Sequence, residues 1–191
     1  ADLVVGAQLY EDGRSTEGAA FVYLGDAGGV STAPRWRYES NHGGAEFGAA
    51  VAGAGDVDGD GYGDVLVGAH GYSNGQSGEG AVFGFYGSSA GLAASPDWQV
   101  ESDQASASFG SAVASAGDVN GDGYTDVIVG APFYTNGQSS EGGVFVYFGS
   151  VAGLSAAADW SAESDQGNAY LGRSVSSAGD VNGDGYADVI A

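Results

Sequence analysis

The sequence predicts an all-β protein made of β-propeller blades, and three observations lead to that prediction. The first is that landmark residues recur every 62 positions: Asp56, Asp118 and Asp180 form one set, and Trp36, Trp98 and Trp160 form another. The second is that short β-branched and aromatic runs alternate with turns rich in glycine, asparagine and aspartate, without helical periodicity. The third is that a 62-residue period accommodates four short antiparallel strands, whereas solenoid repeats are shorter.

The copy at residues 109–166 shows the four strands of one blade in order. Residues 109–119 carry mostly small side chains, which suit the innermost strand because it lies close to its neighbours. Residues 127–131 form an apolar run typical of a buried second strand, and the β-branched and aromatic residues 142–149 favour a third. Trp160 then opens a fourth and more polar strand, which suits the outer edge.

The whole chain, 1–191, is interpreted as a single propeller segment, because each repeat depends on its neighbours for burial. The register runs 1–62, 63–124 and 125–186, and residues 187–191 begin another copy. Closed propellers have typically four to eight blades. We therefore expect either a half-ring that self-associates as three plus three blades, or part of a larger propeller. In a closed dimer residues 1–5 and 187–191 would compete for one position, so one of these strands should be displaced.

Composition excludes several classes of function. The formal net charge is −21, with 4 basic against 25 acidic residues, so nucleic acid and anionic membrane surfaces are poor partners. The chain has no cysteine, which rules out disulfides and thiolate metal sites. No apolar run is long enough to insert into a membrane.

The strongest signal is a nine-residue acidic loop that is present in full three times. Oxygen-bearing side chains occupy loop positions 1, 3, 5 and 9, glycine occupies position 6, and tyrosine occupies position 7, where its carbonyl can point inward. The candidate ligands are Asp56, Asp58, Asp60, Tyr62 and Asp64 in the first copy, Asp118, Asn120, Asp122, Tyr124 and Asp126 in the second, and Asp180, Asn182, Asp184, Tyr186 and Asp188 in the third.

This donor set predicts calcium, with about one ion for each of the three loops. Hard oxygen ligands, a tight turn and a mid-loop carbonyl are the features of the first half of an EF-hand loop, although here aspartate at position 9 replaces glutamate at position 12. The absence of nitrogen and sulfur ligands disfavours zinc and copper, and magnesium demands a stricter geometry. A dissociation constant on the order of 10⁻⁴ to 10⁻³ M is expected. The alternative is that these loops are turns without a metal.

The motif resembles the FG-GAP repeat of integrin α-subunit propellers and their bacterial relatives. The "FG" pair is Phe109-Gly110, and "GAP" stands in full at Gly130-Ala131-Pro132, with GAQ and GAH at the equivalent positions of the other repeats. The resemblance covers the whole chain. It implies calcium loops between the first and second strands, on the face opposite the usual ligand face. It also implies a secreted or cell-surface location and a role in adhesion.

If the resemblance holds, the ligand face carries the loops between strands two and three and the connections after strand four. Its candidate residues are Tyr10, Tyr72 and Tyr134, Glu39, Glu101 and Glu163, and the turns Asn74-Gly75-Gln76 and Asn136-Gly137-Gln138. The tyrosines, like the three recurring tryptophans, either contact a protein or sugar ligand or pack over the blade ends.

These observations predict a calcium-binding scaffold for protein or glycan contact. A lectin-like module and a purely structural spacer or oligomerising fragment are the alternatives. Enzyme activity is not expected, because His42 and His70 are the only histidines and occupy different repeat positions.

Overall fold

The computed structural model describes residues 2–191, which form β-strands joined by turns. Two complete blades lie in the middle of the chain. Blade 2 consists of β6 (Ala50–Gly55), β7 (Asp64–Ala69), β8 (Ala81–Phe85) and β9 (Trp98–Glu101). Blade 3 consists of β10 (Ala112–Gly117), β11 (Asp126–Ala131), β12 (Gly143–Tyr147) and β13 (Trp160–Glu163). Each blade is a four-stranded antiparallel sheet in chain order, which confirms the predicted blade.

Incomplete sheets flank the two complete blades. Blade 1 consists of β1 (Leu3–Ala7), β2 (Ala19–Tyr23) and β5 (Trp36–Glu39), with a small hairpin of β3 (Gly25–Asp26) and β4 (Gly29–Val30) beside it. Blade 4 consists of β14 (Ser176–Gly179) and β15 (Asp188–Ile190). The two segments expected to compete in a closed dimer, residues 1–5 and 187–191, thus each contribute to a strand, β1 and β15. Ala1 lies outside the residues that the structure describes. Within residues 2–191 no helix is long and apolar enough to cross a membrane.

The hydrophobic core lies between the blades. Side chains of a strand alternate between its two faces, so neighbouring residues of β7 face different blades. Leu66 packs with residues of blade 3, whereas Val65 and Val67 pack toward blade 1. The inner strands β6, β10 and β14 lie next to one another, as predicted for strands near a propeller axis. Each blade therefore depends on its neighbours for burial.

The FG and GA motifs meet where adjacent blades come closest. A Cβ atom placed on Gly68 would lie 2.0 Å from the carbonyl oxygen of Gly110 in the next blade, and the same contact joins Gly130 to Gly172 at 1.9 Å. Only glycine fits at this approach. The aromatic partner of the motif, Phe109, is buried between blades 2 and 3. The two motifs are thus the two sides of one contact between blades.

The recurring tryptophans also join one blade to the next. The Trp98 indole Nε1 donates to the Ser155 carbonyl oxygen of blade 3 at 2.8 Å, and its ring lies edge-on to Tyr147. Trp36 makes the same bond to Ala93 of blade 2 at 2.8 Å. The structure therefore gives Trp36 and Trp98 the packing role.

Candidate metal centres

Each acidic loop begins at a β-bulge that ends an inner strand. In blade 3 the register between β10 and β11 shifts between Ser115 and Gly117, and blade 2 shows the same shift between Gly53 and Gly55. Gly117 has a φ of 80°, in the left-handed region that favours glycine. The bulge redirects the chain into the loop.

The aspartate at position 1 organises the loop around its own carboxylate. Asp118 Oδ1 accepts hydrogen bonds from the Gly121 and Asp122 amides at 2.6 and 3.1 Å, and Oδ2 accepts one from Gly123 at 2.9 Å. Asp56 and Asp180 repeat this pattern. The amides of Gly185, Gly183, Asp184 and Asn182 lower the pKa of the fully exposed Asp180. The Asp180 carboxylate is therefore held in its charged form.

In blades 2 and 3 the aspartate at position 9 is buried beneath the loop. Asp126 accepts hydrogen bonds from the Val119 and Gly149 amides, both at 2.8 Å, and Asp64 does the same with Val57 and Gly87. The pKa of Asp64 is raised to about 6, chiefly because the carboxylate is buried. The two amide hydrogen bonds lower this pKa, and the negative charges of Asp58 and Asp56 raise it. Burial also raises the pKa of Asp126. A cation beside these carboxylates would oppose the repulsion.

Three carboxylates of the first loop converge on one point. Asp56, Asp58 and Asp64 each offer an oxygen, and the three oxygens lie within 4.8 Å of one another. Because calcium takes oxygen ligands at roughly 2.3–2.6 Å, oxygens bound to one ion lie up to about 5 Å apart. The donor set thus fits calcium in chemistry and in spacing.

The aspartate at position 5 is not part of this group of three converging carboxylates. In the second and third loops position 3 is an asparagine and not an aspartate. Asp60 Oδ1 accepts a hydrogen bond from the Tyr62 amide at 2.9 Å. Asn120 Nδ2 donates to Asp122 Oδ2 at 2.9 Å, and Asn182 donates to Asp184 in the same way. In these loops the residues at positions 3 and 5 are therefore paired with each other.

Contacts between successive loops are a feature that sequence reasoning missed. The ring of Tyr124 covers Gly59 of the preceding loop, so a Cβ there would lie 2.7 Å from the tyrosine Cε1. The amide of Thr125 donates to the Asp56 carbonyl oxygen at 3.1 Å. Tyr186 covers Gly121 in the same manner. Each loop is thus tied to the next, and its glycine at position 4 makes room for the tyrosine.

On the opposite face the recurring tyrosines pack over the blade ends. Tyr72 lies edge-on to Phe83 with ring centroids 5.6 Å apart, and Tyr134 lies edge-on to Phe145 at 5.3 Å. Tyr10 contacts Phe21 in the same arrangement. The structure thus shows all three tyrosines packed over the blade ends and partly exposed.

The other residues predicted for the ligand face contact one another. The asparagines of the loops between strands two and three bond to the glutamates at the end of strand four, as expected if both groups of loops share one face. Asn74 Nδ2 donates to Glu101 at 3.2 Å, and Asn136 Nδ2 donates to Glu163 at 2.9 Å. Next to them lie three buried glutamates that were not predicted from the sequence: Glu17, Glu79 and Glu141. Their signal in the sequence is recurrence at the 62-residue interval, each time directly before a glycine.

The two histidines lie in unrelated surroundings. His42 lies against Tyr72 with ring centroids 4.6 Å apart. His70 Nε2 lies 2.9 Å from Glu46 Oε2. Both side chains thus have structural contacts of their own.

Comparison with known proteins identifies the family. The FG-GAP repeat matches residues 47–85, 109–147 and 171–191, together more than half of the chain. Integrin alpha-PS2 of Drosophila melanogaster is 37% identical over 68% of this chain and 10% of its own length. Integrin alpha-4 of Xenopus laevis is 35% identical over 76% of this chain and 14% of its own length.

An enzyme is also among the relatives. Phosphatidylinositol-glycan-specific phospholipase D of Rattus norvegicus is 37% identical over 76% of this chain and 18% of its own length. The chain thus spans less than a fifth of the length of each of these three proteins. The matched ranges begin at Phe47-Gly48, at Phe109-Gly110 and at the equivalent Leu171-Gly172. The chain belongs to the FG-GAP repeat family, as a β-propeller segment similar to those of integrin α-subunits.

Proposed function

We propose that the chain is a calcium-binding propeller scaffold of a secreted or cell-surface protein, and that it mediates adhesion through protein or glycan contacts. The observation that carries the calcium part is the convergence of Asp56, Asp58 and Asp64 within 4.8 Å. The loop that contains them is repeated twice more at the same interval. The similarity to integrin α-subunits supports the location and the adhesive role.

In this proposal calcium is structural. The side chains at positions 1, 3, 5 and 9 and the tyrosine carbonyl at position 7 would hold one ion in each of three loops. The ion would offset the repulsion among the carboxylates and stabilise the folded state by mass action. Because the tyrosine of one loop covers the glycine of the preceding loop, each ion would also hold the boundary between two blades.

Isothermal titration calorimetry tests the loop assignment. Asp58→Ala removes a converging carboxylate, so calcium binding to the first loop should be lost. Asp26→Ala is the matched control, because this exposed aspartate lies outside the carboxylate clusters of residues 2–191. Equal calcium binding by the two variants would contradict the assignment.

A groove beside the opposite-face loops is the proposed contact surface. Its volume is about 610 Å³, and Glu101, Asp103 and Tyr134 are among the residues that line it. The integrin relatives favour a protein ligand, and the aromatic lining supports the lectin-like alternative. Binding to a glycan array that is lost on Tyr134→Ala would establish the lectin function. Cell adhesion to the immobilised chain without glycan binding would establish the protein ligand.

We also propose that further blades cover both end surfaces of this segment. Leu3 is 48% exposed, whereas Val65 and Val127, which occupy its position in the next two repeats, are buried. The covering blades belong either to a second copy of this chain, which would give a ring of three plus three blades, or to further blades of the same polypeptide. Light scattering of this chain at high concentration with calcium distinguishes the two. A dimer supports the first source, and a monomer excludes it.

The segment itself is proposed to have no catalytic role, because its two histidines have unrelated structural contacts. The phospholipase relative gives the assay. Hydrolysis of a phosphatidylinositol-glycan substrate by this chain alone would contradict the proposal.

A further inference from the structure

We propose a second class of cation site, on the face opposite the acidic loops, which takes a hard divalent cation such as calcium. One site is built by Glu79, Glu101 and Asp103 of blade 2. The other is built by Glu141, Glu163 and Asp165 of blade 3. These sites share no residue with the acidic loops, so they would bind whether or not the loops do.

Each site gathers carboxylates from separate parts of one blade. Glu79 directly precedes Gly80 and β8, Glu101 is the last residue of β9, and Asp103 lies in the connection to the next blade. One oxygen of each residue lies within 4.8 Å of the others. This spacing fits three ligands of one calcium ion.

An unpartnered buried oxygen marks the inner wall of each site. Glu79 has no exposed surface, and its Oε1 accepts a hydrogen bond from the Asn74 amide at 2.5 Å. Its Oε2 is buried without a hydrogen-bond partner, and so are Oε2 of Glu141 and, in blade 1, Oε2 of Glu17. A buried carboxylate oxygen normally has a donor or a cation beside it, because isolated burial of charge is costly. A cation among the three carboxylates would supply that partner.

Blade 1 provides the natural comparison, because there arginine side chains supply the positive charge. Glu17 and Glu39 keep the positions of Glu79 and Glu101, but asparagine replaces the aspartate of the triad and arginine replaces two nearby glutamines. The substituted positions are Asn41 for Asp103, Arg14 for Gln76 and Arg37 for Gln99.

The contacts of blade 1 show what these replacements do. Arg14 lies 3.0 Å from Asn41 Oδ1 and 3.9 Å from Glu17 Oε2, and Arg37 pairs with Glu39. Blades 2 and 3 carry the full carboxylate triads instead. Among residues 2–191 none of those six carboxylates forms an ion pair with a basic side chain. Among the described residues, basic side chains of the chain itself therefore balance these carboxylates only in blade 1.

The donor set favours a divalent ion over a basic peptide. All three ligand groups are hard oxygens, which suit calcium rather than zinc or copper. The innermost oxygen has no exposed surface, and even Arg14, in its own blade, stays 3.9 Å from the equivalent oxygen of Glu17. At roughly 2.3–2.6 Å, a calcium ion would lie closer to that oxygen than the guanidinium does in blade 1.

Transplanting the blade 1 arrangement tests the proposal without leaving a buried charge unpaired. The double variant Gln76→Arg/Asp103→Asn replaces the blade 2 triad, and Gln138→Arg/Asp165→Asn replaces that of blade 3. Bound calcium is counted by equilibrium dialysis and elemental analysis of the whole chain. With three loops and two triads, five ions are expected, then four in either double variant and three when both are combined. Far-ultraviolet circular dichroism confirms that the variants fold.

A gain-of-site variant keeps the test independent of any loss of folding. Arg14→Gln/Arg37→Gln/Asn41→Asp restores the triad in blade 1, so the count should rise from five to six. If only the loops fail to bind, the wild type should hold two ions and each double variant one. This outcome separates failure of the triads from failure of the proposed loop function.

An unchanged count in both kinds of variant would overturn the proposal. The proposal would also be overturned if a tri-arginine peptide bound saturably to the wild type and not to the double variants, while the number of bound calcium ions stayed the same. That result would assign the triads to a basic peptide ligand instead.

Discussion

The boundary between blades 2 and 3 differs from the end surface beyond blade 3, although equivalent residues form both. Trp98 is 8% exposed and bonded to the next blade, whereas Trp160 is 47% exposed. Asp126 is buried and accepts two amides, whereas Asp188 is partly exposed and accepts the Val181 amide alone. The difference shows that the repeat determines the shape of each strand and loop, and that the remaining strands of a blade and the blade beside it determine how deeply each residue is buried.

The tryptophan pair should show the largest difference. Trp98→Ala removes a buried ring and its indole hydrogen bond, so the free energy of unfolding should fall by about 3–5 kcal/mol. Trp160→Ala removes an exposed ring, and its effect should stay within about 0.5 kcal/mol. Urea denaturation of both variants measures the two values. Equal losses in a monomeric sample would contradict the comparison, and equal losses in a dimer would show that the partner covers Trp160.

The aspartates at position 9 form the second pair. Asp126→Ala leaves two amides without an acceptor beneath the loop, which should cost roughly 2–5 kcal/mol in the presence of a chelator. Asp188→Ala frees one amide that solvent can reach, so its cost should be smaller. Thermal unfolding in chelator isolates this effect from metal binding. If Asp188→Ala proves the more damaging, burial does not control these residues.

Two glycines at position 4 isolate the contact between loops. Gly121 and Gly183 both have φ near 80°, at 79° and 77°, so alanine is strained at either position. A Cβ on Gly121 would also lie 2.5 Å from the ring of Tyr186, whereas one on Gly183 meets nothing within 4 Å. Gly121→Ala should therefore cost about 1 kcal/mol more than Gly183→Ala. Equal Tm values would show that the tyrosine moves aside freely.

The sequence was sufficient to predict what repeats locally. The 62-residue interval, the strand order and the loop positions at Asp56, Asp118 and Asp180 followed from residue type and spacing alone. Contacts between copies could not be predicted in this way, because they depend on how blades stack. The cover of Tyr124 over Gly59 and the pairing of Arg37 with Glu39 are of that kind. Glu79 was predictable from its recurrence, but burial of a glutamate without a partner appears only in three dimensions.

The pH dependence of calcium stabilisation should give the smallest effect. The pKa of Asp64 is raised from 3.8 to about 6, so proton binding stabilises the metal-free folded state. That contribution is complete below about 3.8 and disappears as the pH rises through about 6. Since protons and calcium compete for this carboxylate, the gain in Tm from calcium should shrink between about pH 7.5 and about pH 5. A gain that is constant over this range would exclude Asp64 as a ligand.

The most direct test of the central claim, that the acidic loops are structural calcium sites, is thermal unfolding in millimolar calcium chloride. The same buffer with a chelator is the reference, and magnesium chloride is the control. Millimolar calcium reaches about a tenfold excess over the expected Kd, which stabilises the folded state by about 1.4 kcal/mol for each site, so three loops should raise the Tm by several degrees. We expect this rise with calcium and little change with magnesium. An identical Tm in calcium and in chelator would show that the acidic loops are turns without a metal, and would contradict the account.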